Sequence, residues 1–293
     1  MKCILCNNGK TDLIDTKIRN VHTDKTKVYK CSSCGVHFLN PYFTEKELRS
    51  FYNGEYRKNY TEENYYSEEK IENFFRKSIP EAEIRVSRVE KYLNKEDVIL
   101  EIGCSSGYFL NILKDKVKLV SGTEWDEGNS SYCKKLGINT AKNIEDFKYK
   151  FDKIFMFHVL EHMIDPINFL EKLKNSMKED SILFIEVPNN GDILLSTYDI
   201  PQFRDFYYQS AHLWYFNRRS LSYVLDKAGY QYEIINIQRY DISNHINWLE
   251  NRKPGGQGMF DNIFDDELKS AYDNVLIKSN KTDTIFAVCK IKK

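Results

Sequence analysis

The sequence predicts an α/β fold built on a mostly parallel sheet, preceded by a small metal-stapled module. Three observations carry this. From residue 96 onward, short β-rich runs alternate with helical stretches, the pattern of βαβ units. The first run, "DVILEIG", passes through "CSSG" into an apolar helix start, so a glycine turn sits where a strand hands over to a helix. Ahead of both, Cys3-x-x-Cys6 and Cys31-x-x-Cys34 form two knuckles with the spacing of a four-thiolate zinc site.

The chain of 293 residues has room for one large core plus an accessory module, since domains hold ~100–200 residues. Its 43 Lys and Arg balance 43 Asp and Glu, so a global electrostatic grip on nucleic acid or an anionic membrane is not expected. No stretch approaches the ~20 apolar residues of a membrane span, and the N-terminus is polar and cysteine-bearing instead of a basic-then-apolar leader. A cytoplasmic location is the expectation. In a reducing compartment, seven cysteines with four in two close pairs argue for metal over disulfides.

Three segments follow. Residues 1–40 read as a zinc-ribbon module, with a hairpin-like polar stretch between the knuckles and Gly9 and Gly35 where tight turns need positive φ. Four thiolates leave no open ligand position, so the zinc is structural. Residues 41–95 read as helical. "TEKELRSFY" opens with Thr44 as N-cap and Glu47 three residues on, a capping box. The tyrosines between Phe51 and Tyr66 are expected in core or interface, with a pocket lining as the alternative. "IPEAEIRVSRVEKYL" predicts an amphipathic helix starting near Pro80 and offering Ile84, Val86, Val89, Tyr92 and Leu93 to the core. Residues 96–293 form the main domain. Its strands are "DVILEIG", "VKLVSGTEW", "FDKIFMFHV" and "SILFIEVPN", and "YQYEIINIQRY" and "TDTIFAVCKI" close the chain.

In an open parallel sheet a ligand sits at the carboxyl ends of the strands. The Gly103–Gly107 turn lets backbone approach it closely, yet it is neither G-x-G-x-x-G nor followed by Gly-Lys-Ser/Thr, which excludes a P-loop. Glu101, two residues before the turn, would repel a pyrophosphate and attract an ammonium. Glu124, ending the second strand, can bind two ribose hydroxyls, and Trp125 can stack on an adenine. Ribose, adenine and ammonium together describe S-adenosylmethionine.

At these residues a resemblance appears. "LEIGCSSGYFL", "GTEWD", "FHVLEHMIDPINFLEKLK" and "HLWYFNRRSLSYVLDKAGY" resemble class I S-adenosylmethionine-dependent methyltransferases over roughly residues 96–235. The resemblance implies a Rossmann-like seven-stranded sheet whose last two strands form an antiparallel hairpin. It implies that Glu101 and the loop of Gly103, Cys104, Ser105 and Gly107, with Tyr108 at the helix start, hold the methionyl end. Glu124 would take the ribose, Trp125 the adenine, and His158 would lie beside the methionyl group. "AKNIEDF" offers Asn143 or Glu145 near the adenine without a clear match. "CSSCGVHFLNPYFTEKELRSFYNGEY" resembles the zinc-bearing leader of sugar and small-molecule methyltransferases. The insert "QRYDISNHINWLENRKPGGQG", residues 238–258 of a substrate-side region reaching to about 280, resembles a segment in methyltransferases of bacterial surface-polysaccharide pathways. Its Asn244, His245, Trp248 and Arg252, with the flexible Pro254-Gly255-Gly256, suit a lid over a polar, ringed ligand; a surface ornament is the alternative.

A sulfonium is an activated methyl donor, so the protein mainly aligns the acceptor and excludes water. A hydroxyl acceptor also needs a base, for which histidine suits working pH. His162 and His212 are the candidates, a structural or cofactor-side role being the rival. Asn189, Asn190 and His245 are candidate acceptor hydrogen-bonders. The expected function is O-methylation of a sugar, a sugar-derived small molecule or a glycan acceptor of a capsule or O-antigen type pathway. The alternatives are C-methylation of a keto-sugar nucleotide, an RNA methyltransferase whose zinc ribbon grips nucleic acid, and a non-catalytic cofactor-binding partner.

Overall fold

The computed structural model describes residues 1–20, 25–41, 44 and 67–292. Glu47 of the expected capping box and the aromatic run from Phe51 to Tyr66 lie outside the described residues.

The described chain runs β1 (Thr11–Asp15), β2 (Lys27–Cys31), β3 (His37–Asn40), α1 (Glu68–Val89), β4 (Val98–Ile102), α2 (Tyr108–Leu113), β5 (Leu119–Thr123), α3 (Glu127–Lys135), β6 (Asn139–Ala141) and β7 (Phe151–Phe157). It continues through α4 (Pro166–Leu173), β8 (Met177–Pro188), α5 (Ile193–Ser196), α6 (Pro201–Tyr207), β9 (Trp214–Tyr215), α7 (Arg218–Lys227), β10 (Tyr230–Ile237), α8 (Ile242–Asn251), α9 (Asp266–Ser279) and β11 (Thr284–Ile291). Seven strands form one sheet in the order β10-β11-β8-β7-β4-β5-β6. Neighbours from β8 to β6 are parallel, and β11 is antiparallel to both β8 and β10. The expected seven-stranded sheet with an antiparallel terminal hairpin is therefore present.

The two-residue period of the strands decides what each face carries. Leu100 and Ile102 of β4, Ile154 and Met156 of β7, and Leu183 and Ile185 of β8 meet α4 and α7 in one core layer. Ile99, Phe155 and Phe184 point the other way and pack with Ala82, Val86 and Val89 of α1 and Phe109 and Leu113 of α2. Phe155 and Phe184 stack at 4.8 Å between ring centroids. By the same alternation, Glu101 and Glu186 project to the α1 side, each one step of two beyond an apolar neighbour. That places two acids at the carboxyl edge of the sheet under one helix.

α1 departs from the expected start near Pro80. It begins at Glu68, where Ser67 accepts a hydrogen bond from the Lys70 N–H and Glu68 and Glu69 occupy the first turn, and it holds Pro80 in its interior. An N-cap with first-turn acids is a stronger start signal than a proline, and burial of Ile71, Ala82, Val86 and Val89 offsets the backbone bond the proline forfeits. Ile84, expected in the core, is 60% exposed.

The leader shares its sheet and core with the rest of the chain. β1, β2 and β3 are joined by β9 in a four-stranded sheet, with His37 opposite Tyr215 and Phe38 opposite Trp214. Cys3, Leu5, Cys31, Cys34, Val36 and Phe38 are continuous with Leu213, Trp214 and Phe216 in the large core layer.

Candidate active site

The glycine turn is built by backbone conformations that side chains resist. Gly103 and Gly107 have φ of 72° and 77°, and Ser105 has 49°. A Cβ on Gly107 would lie 2.8 Å from both Cys133 Sγ and Ile138 Cδ1, so only glycine fits. Glu124 closes the turn from β5, its Oε2 accepting from the Ser105 N–H at 2.9 Å and its Oε1 from the Asp126 N–H at 2.7 Å. Trp125, 41% exposed, is held at the rim by its Nε1–H donating to the Lys142 carbonyl at 3.0 Å. Asn143 is spent in a capping box with Asp146. Cys104, expected among the cofactor contacts, is buried instead. The residue is 1% exposed, and its side chain packs beneath the turn, where a Cβ on Gly122 would come within 2.4 Å of its Sγ.

Glu101 is 3% exposed, and its Oε2 has no hydrogen-bond partner. Burial pushes its carboxyl well above the usual carboxylate range, Arg85 acting in the opposite sense. An orphaned, buried acid beside a glycine turn fits a cationic ligand, because an ammonium would supply the missing partner. This is the observation by which the residues present fit S-adenosylmethionine: Glu101 toward the ammonium, the Gly103–Gly107 backbone along the methionyl chain, Glu124 toward the ribose.

Next to it lies a charged network that sequence reasoning missed. Arg85 Nη2 pairs with Glu186 Oε1 at 2.6 Å and with Glu81 Oε1 at 2.9 Å, and Arg88 Nη1 pairs with Glu186 Oε2 at 2.8 Å. Arg239, the second residue of the insert, reaches back to pair with Glu81 and to meet His158 Nε2 at 2.7 Å. His158, at φ 55° just beyond β7, lies 3.4 Å from Glu161 and 3.3 Å from Glu186. Burial and Arg239 pull its pKa down, but the Glu161 and Glu186 carboxylates outweigh them and raise it. Burial would raise Glu186; the His158 hydrogen bond and the Arg85 charge hold it well below the usual range instead. Tyr108 Oη is 3.4 Å from Arg85 Nη1, and burial pushes that phenol up to about 12. The period-two position of Glu186 in "SILFIEVPN" was the signal available: an acid in an apolar run of a central strand demands a buried cation.

His162 and His212, 50 residues apart in sequence, meet with ring centroids 4.7 Å apart in a T-shaped pair. The backbone brings them together: the Leu213 N–H donates to the Glu161 carbonyl at 2.9 Å, and Trp214 Nε1–H to the Met163 carbonyl at 2.7 Å. Burial lowers both imidazoles, His212 further than His162.

The remaining expectations separate. Asn189 donates to the Thr282 carbonyl at 2.7 Å and accepts from the Gly191 N–H at 2.9 Å, so its amide is spent on chain reversals and not aimed at an acceptor. Asn190 donates to the carbonyls of Gly35 and Tyr215 and ties the leader down. His245, 2% exposed, binds Tyr272 Oη at 2.7 Å, and burial draws it down to about 4; it fastens α8 to α9 and does not face a ligand. Two surface cavities of about 400 and 480 Å³, lined in part by Asn189 with Arg218 and by His37 with Asn190, lie away from the glycine turn.

At the other end of the leader sheet, Cys3 Sγ and Cys34 Sγ are 3.9 Å apart, and Cys6 Sγ and Cys31 Sγ 3.7 Å. A tetrahedron with Zn–S bonds of ~2.3 Å has edges of ~3.8 Å, so the four thiols fit zinc. The Cys34 N–H pointing at Cys31 Sγ over 3.4 Å and φ values of 80° and 75° at Gly9 and Gly35 complete both knuckles.

Sheet order, glycine turn and the two edge acids define a class I methyltransferase domain. A family model described as a methyltransferase domain matches residues 74–234, and the chain belongs to this family. It is 26% identical over 117 residues to a tRNA U34 carboxymethyltransferase of Campylobacter fetus, covering 35% of this chain and 41% of that protein; the chain thus matches about two-fifths of that relative's length. A solved S-adenosylmethionine-dependent methyltransferase of Archaeoglobus fulgidus superposes with a TM-score of 0.50 at 21% identity, over 74% of this chain and 96% of that one. A chain from the Haloferax volcanii complex of the Trm112 methyltransferase activator with its methyltransferase gives 0.51 at 13% identity, over 84% and 98%. No helix among the described residues is long and apolar enough to cross a membrane.

Proposed function

We propose that the protein transfers a methyl group from S-adenosylmethionine to a hydroxyl of a sugar or ribose-bearing acceptor docked against His162 and His212. The convergence of Glu161, His162 and His212 at the carboxyl edge, beyond the crease holding Glu101 and Glu124, carries this reading. When bound, the cofactor supplies an electrophilic methyl on a sulfonium. The chain's own part is to anchor the ammonium at Glu101, to fix the ribose at Glu124, and to receive the hydroxyl proton at an imidazole held neutral by burial. His158, fixed between Glu161 and Glu186, walls the methionyl end. Arg239 brings the insert against that wall and links acceptor-side chain to the cofactor crease. The zinc at the four cysteines is structural and supports β9.

The acceptor class has two supports that pull apart. The leader and insert resemble those of sugar methyltransferases, while the curated relative's name concerns tRNA, against the expectation of no nucleic-acid partner. Both offer a sugar hydroxyl. A screen of sugar nucleotides, glycan fragments and unmodified tRNA with labelled cofactor, read by mass, decides between them. A gain of one methyl on a sugar compound supports the first reading and on tRNA the second; transfer to carbon or nitrogen sinks hydroxyl methylation. With the acceptor in hand, replacing the general base by alanine is expected to cut turnover ~10²–10⁴-fold while S-adenosylhomocysteine affinity holds. Turnover within threefold of parent in both His162→Ala and His212→Ala would remove the imidazoles from the proton path.

A further inference from the structure

On the same carboxyl edge as the glycine turn, but at the flank formed by the ends of β8 and β10, a cavity of about 400 Å³ is lined by Arg218, Arg219, Ser222, Asn189, Asn236 and Asn280. No acidic residue lines it. Arg76, Arg85, Arg88, Arg204 and Arg239 each hold a carboxylate, whereas among the described residues neither Arg218 nor Arg219 has an ion pair or a hydrogen bond through its guanidinium. They also stand where cations are disfavoured. Both lie in the first turn of α7, which has no acid there, and the positive end of a helix repels cations and attracts anions. A local rule broken twice in one cavity wall, with no partner inside the chain, calls for a partner outside it.

The wall is held by bonds that do not involve the arginines. Asn217, the N-cap of α7, donates to the Gly35 carbonyl at 2.8 Å and accepts from the Ser220 N–H at 2.9 Å, and Asn189 donates to the Thr282 carbonyl at 2.7 Å. Asn236 differs. Its Nδ2 donates to the Ile277 carbonyl at 2.9 Å and to Asn280 Oδ1 at 2.7 Å, yet its buried Oδ1 has no partner, and buried acceptors are nearly always satisfied. The lining therefore lacks two things, negative charge beside the guanidinium groups and a donor for one amide oxygen. A phosphate supplies the first and a sugar hydroxyl the second.

We propose that Arg218 and Arg219 bind the two phosphates of a sugar diphosphate, so that the sugar this protein acts on is carried on a nucleoside diphosphate. Each guanidinium can take two phosphate oxygens at once. Consecutive helix positions point ~100° apart, so the two groups approach from different sides, which suits two linked phosphates better than one. An adjoining cavity of about 480 Å³ shares Gly191 and Asn217 with the first and gives the rest of such a molecule room. An RNA backbone fits less well, because it needs cations along a strip, and these two share one turn of one helix in a chain of no net charge. That the bound molecule is the methyl acceptor rests on the sugar reading above; its binding does not.

The test uses the full chain with its cysteine centre intact, in saturating S-adenosylhomocysteine to keep the titrant out of the cofactor crease, and follows inorganic pyrophosphate, inorganic phosphate and a single-stranded RNA by calorimetry. One pyrophosphate per chain is expected, bound at least tenfold tighter than phosphate. Affinity should fall at least tenfold in Arg218→Glu with Arg219→Glu and be partly kept in Arg218→Lys with Arg219→Lys, which holds the charge without the fork. Because acids suit a helix start, the glutamate variant is expected to melt no lower than parent, which separates lost binding from lost fold. No binding by the parent, or binding unchanged in the folded glutamate variant, overturns the site. Phosphate and RNA bound as tightly as pyrophosphate, with the same dependence on the arginines, overturn the diphosphate and assign the pair to an RNA backbone. A nucleotide sugar that binds at these arginines and takes no methyl, while another compound does, overturns the acceptor role. Methyl transfer to carbon or nitrogen of a diphosphate sugar bound here sinks the hydroxyl reading and leaves the site standing.

Discussion

At Glu101, one carboxylate decides how cofactor affinity responds to pH. Burial raises its pKa well above the usual range, so in the free protein it holds a proton at pH values where an exposed glutamate is ionised. An ammonium ligand favours the ionised form, so binding expels that proton. The sign follows: S-adenosylhomocysteine affinity rises with pH below the raised pKa of Glu101 and levels off above it. Calorimetry in buffers of different ionisation enthalpy is expected to show proton release in the parent and none in Glu101→Gln. Buffer-independent heats in the parent would reject this carboxylate as the ammonium partner. Glu124→Ala is expected to weaken the same ligand by ~1–3 kcal/mol, the range for hydrogen bonds to a charged group, and equal affinity would reject the ribose role.

Among the elements, legibility tracks how local the cause is. β4, β5, β7, β8, β10 and β11 were readable because apolar alternation and turn residues are written in the strand itself. β6, three residues long in "NTA", and β9, two residues in "HLWYF", carry no such signal; β9 exists because β3 offers it an edge. The glycine turn, Glu101, Glu124 and the cysteine set were equally legible, each as a short spacing. The Arg85–Glu186–His158–Arg239 network was not, because its members come from α1, β8, the end of β7 and the insert. Its energetic test is at Glu186, 1% exposed and bound by Arg85 and Arg88. Glu186→Gln leaves buried guanidinium groups short of charge and is expected to cost about 3–5 kcal/mol at neutral pH. Because the folded pKa of Glu186 is depressed, its stabilisation is present above the unfolded glutamate pKa of ~4.3 and is lost as pH falls toward the folded value. Denaturant melts below that pH should therefore converge for parent and variant; a constant gap would assign the loss to packing.

For the molecule as a whole, the cysteine centre and the acceptor histidines are coupled through one strand. Zinc on the four thiols would tie the first knuckle, ahead of β1, to the second, which ends β2 and precedes β3, and β3 pairs with β2 and β9. β9 begins two residues after His212, and the leader's Arg19 holds Gln209 against that imidazole. Asn190 and Asn217 both donate to the Gly35 carbonyl, so the second knuckle is also tied to the loop after β8 and to the start of α7. The glycine turn and Glu124 follow β4 and β5, which belong to the seven-stranded sheet and do not pair with the leader's strands. Losing a structural zinc releases folding energy that so small a module cannot replace, and the strain falls on the acceptor side. Stripping the metal, or Cys31→Ser, is therefore expected to lower the melting temperature and reduce turnover by ~10²-fold, within the range that misplacing a reactive group costs. S-adenosylhomocysteine affinity should stay within about threefold of parent. Zinc content, calorimetry and turnover measured on the same preparation test the coupling. Full turnover in zinc-free protein would uncouple leader from acceptor site, and an equal loss of cofactor binding would show that the leader supports the whole sheet and not the His212 side alone.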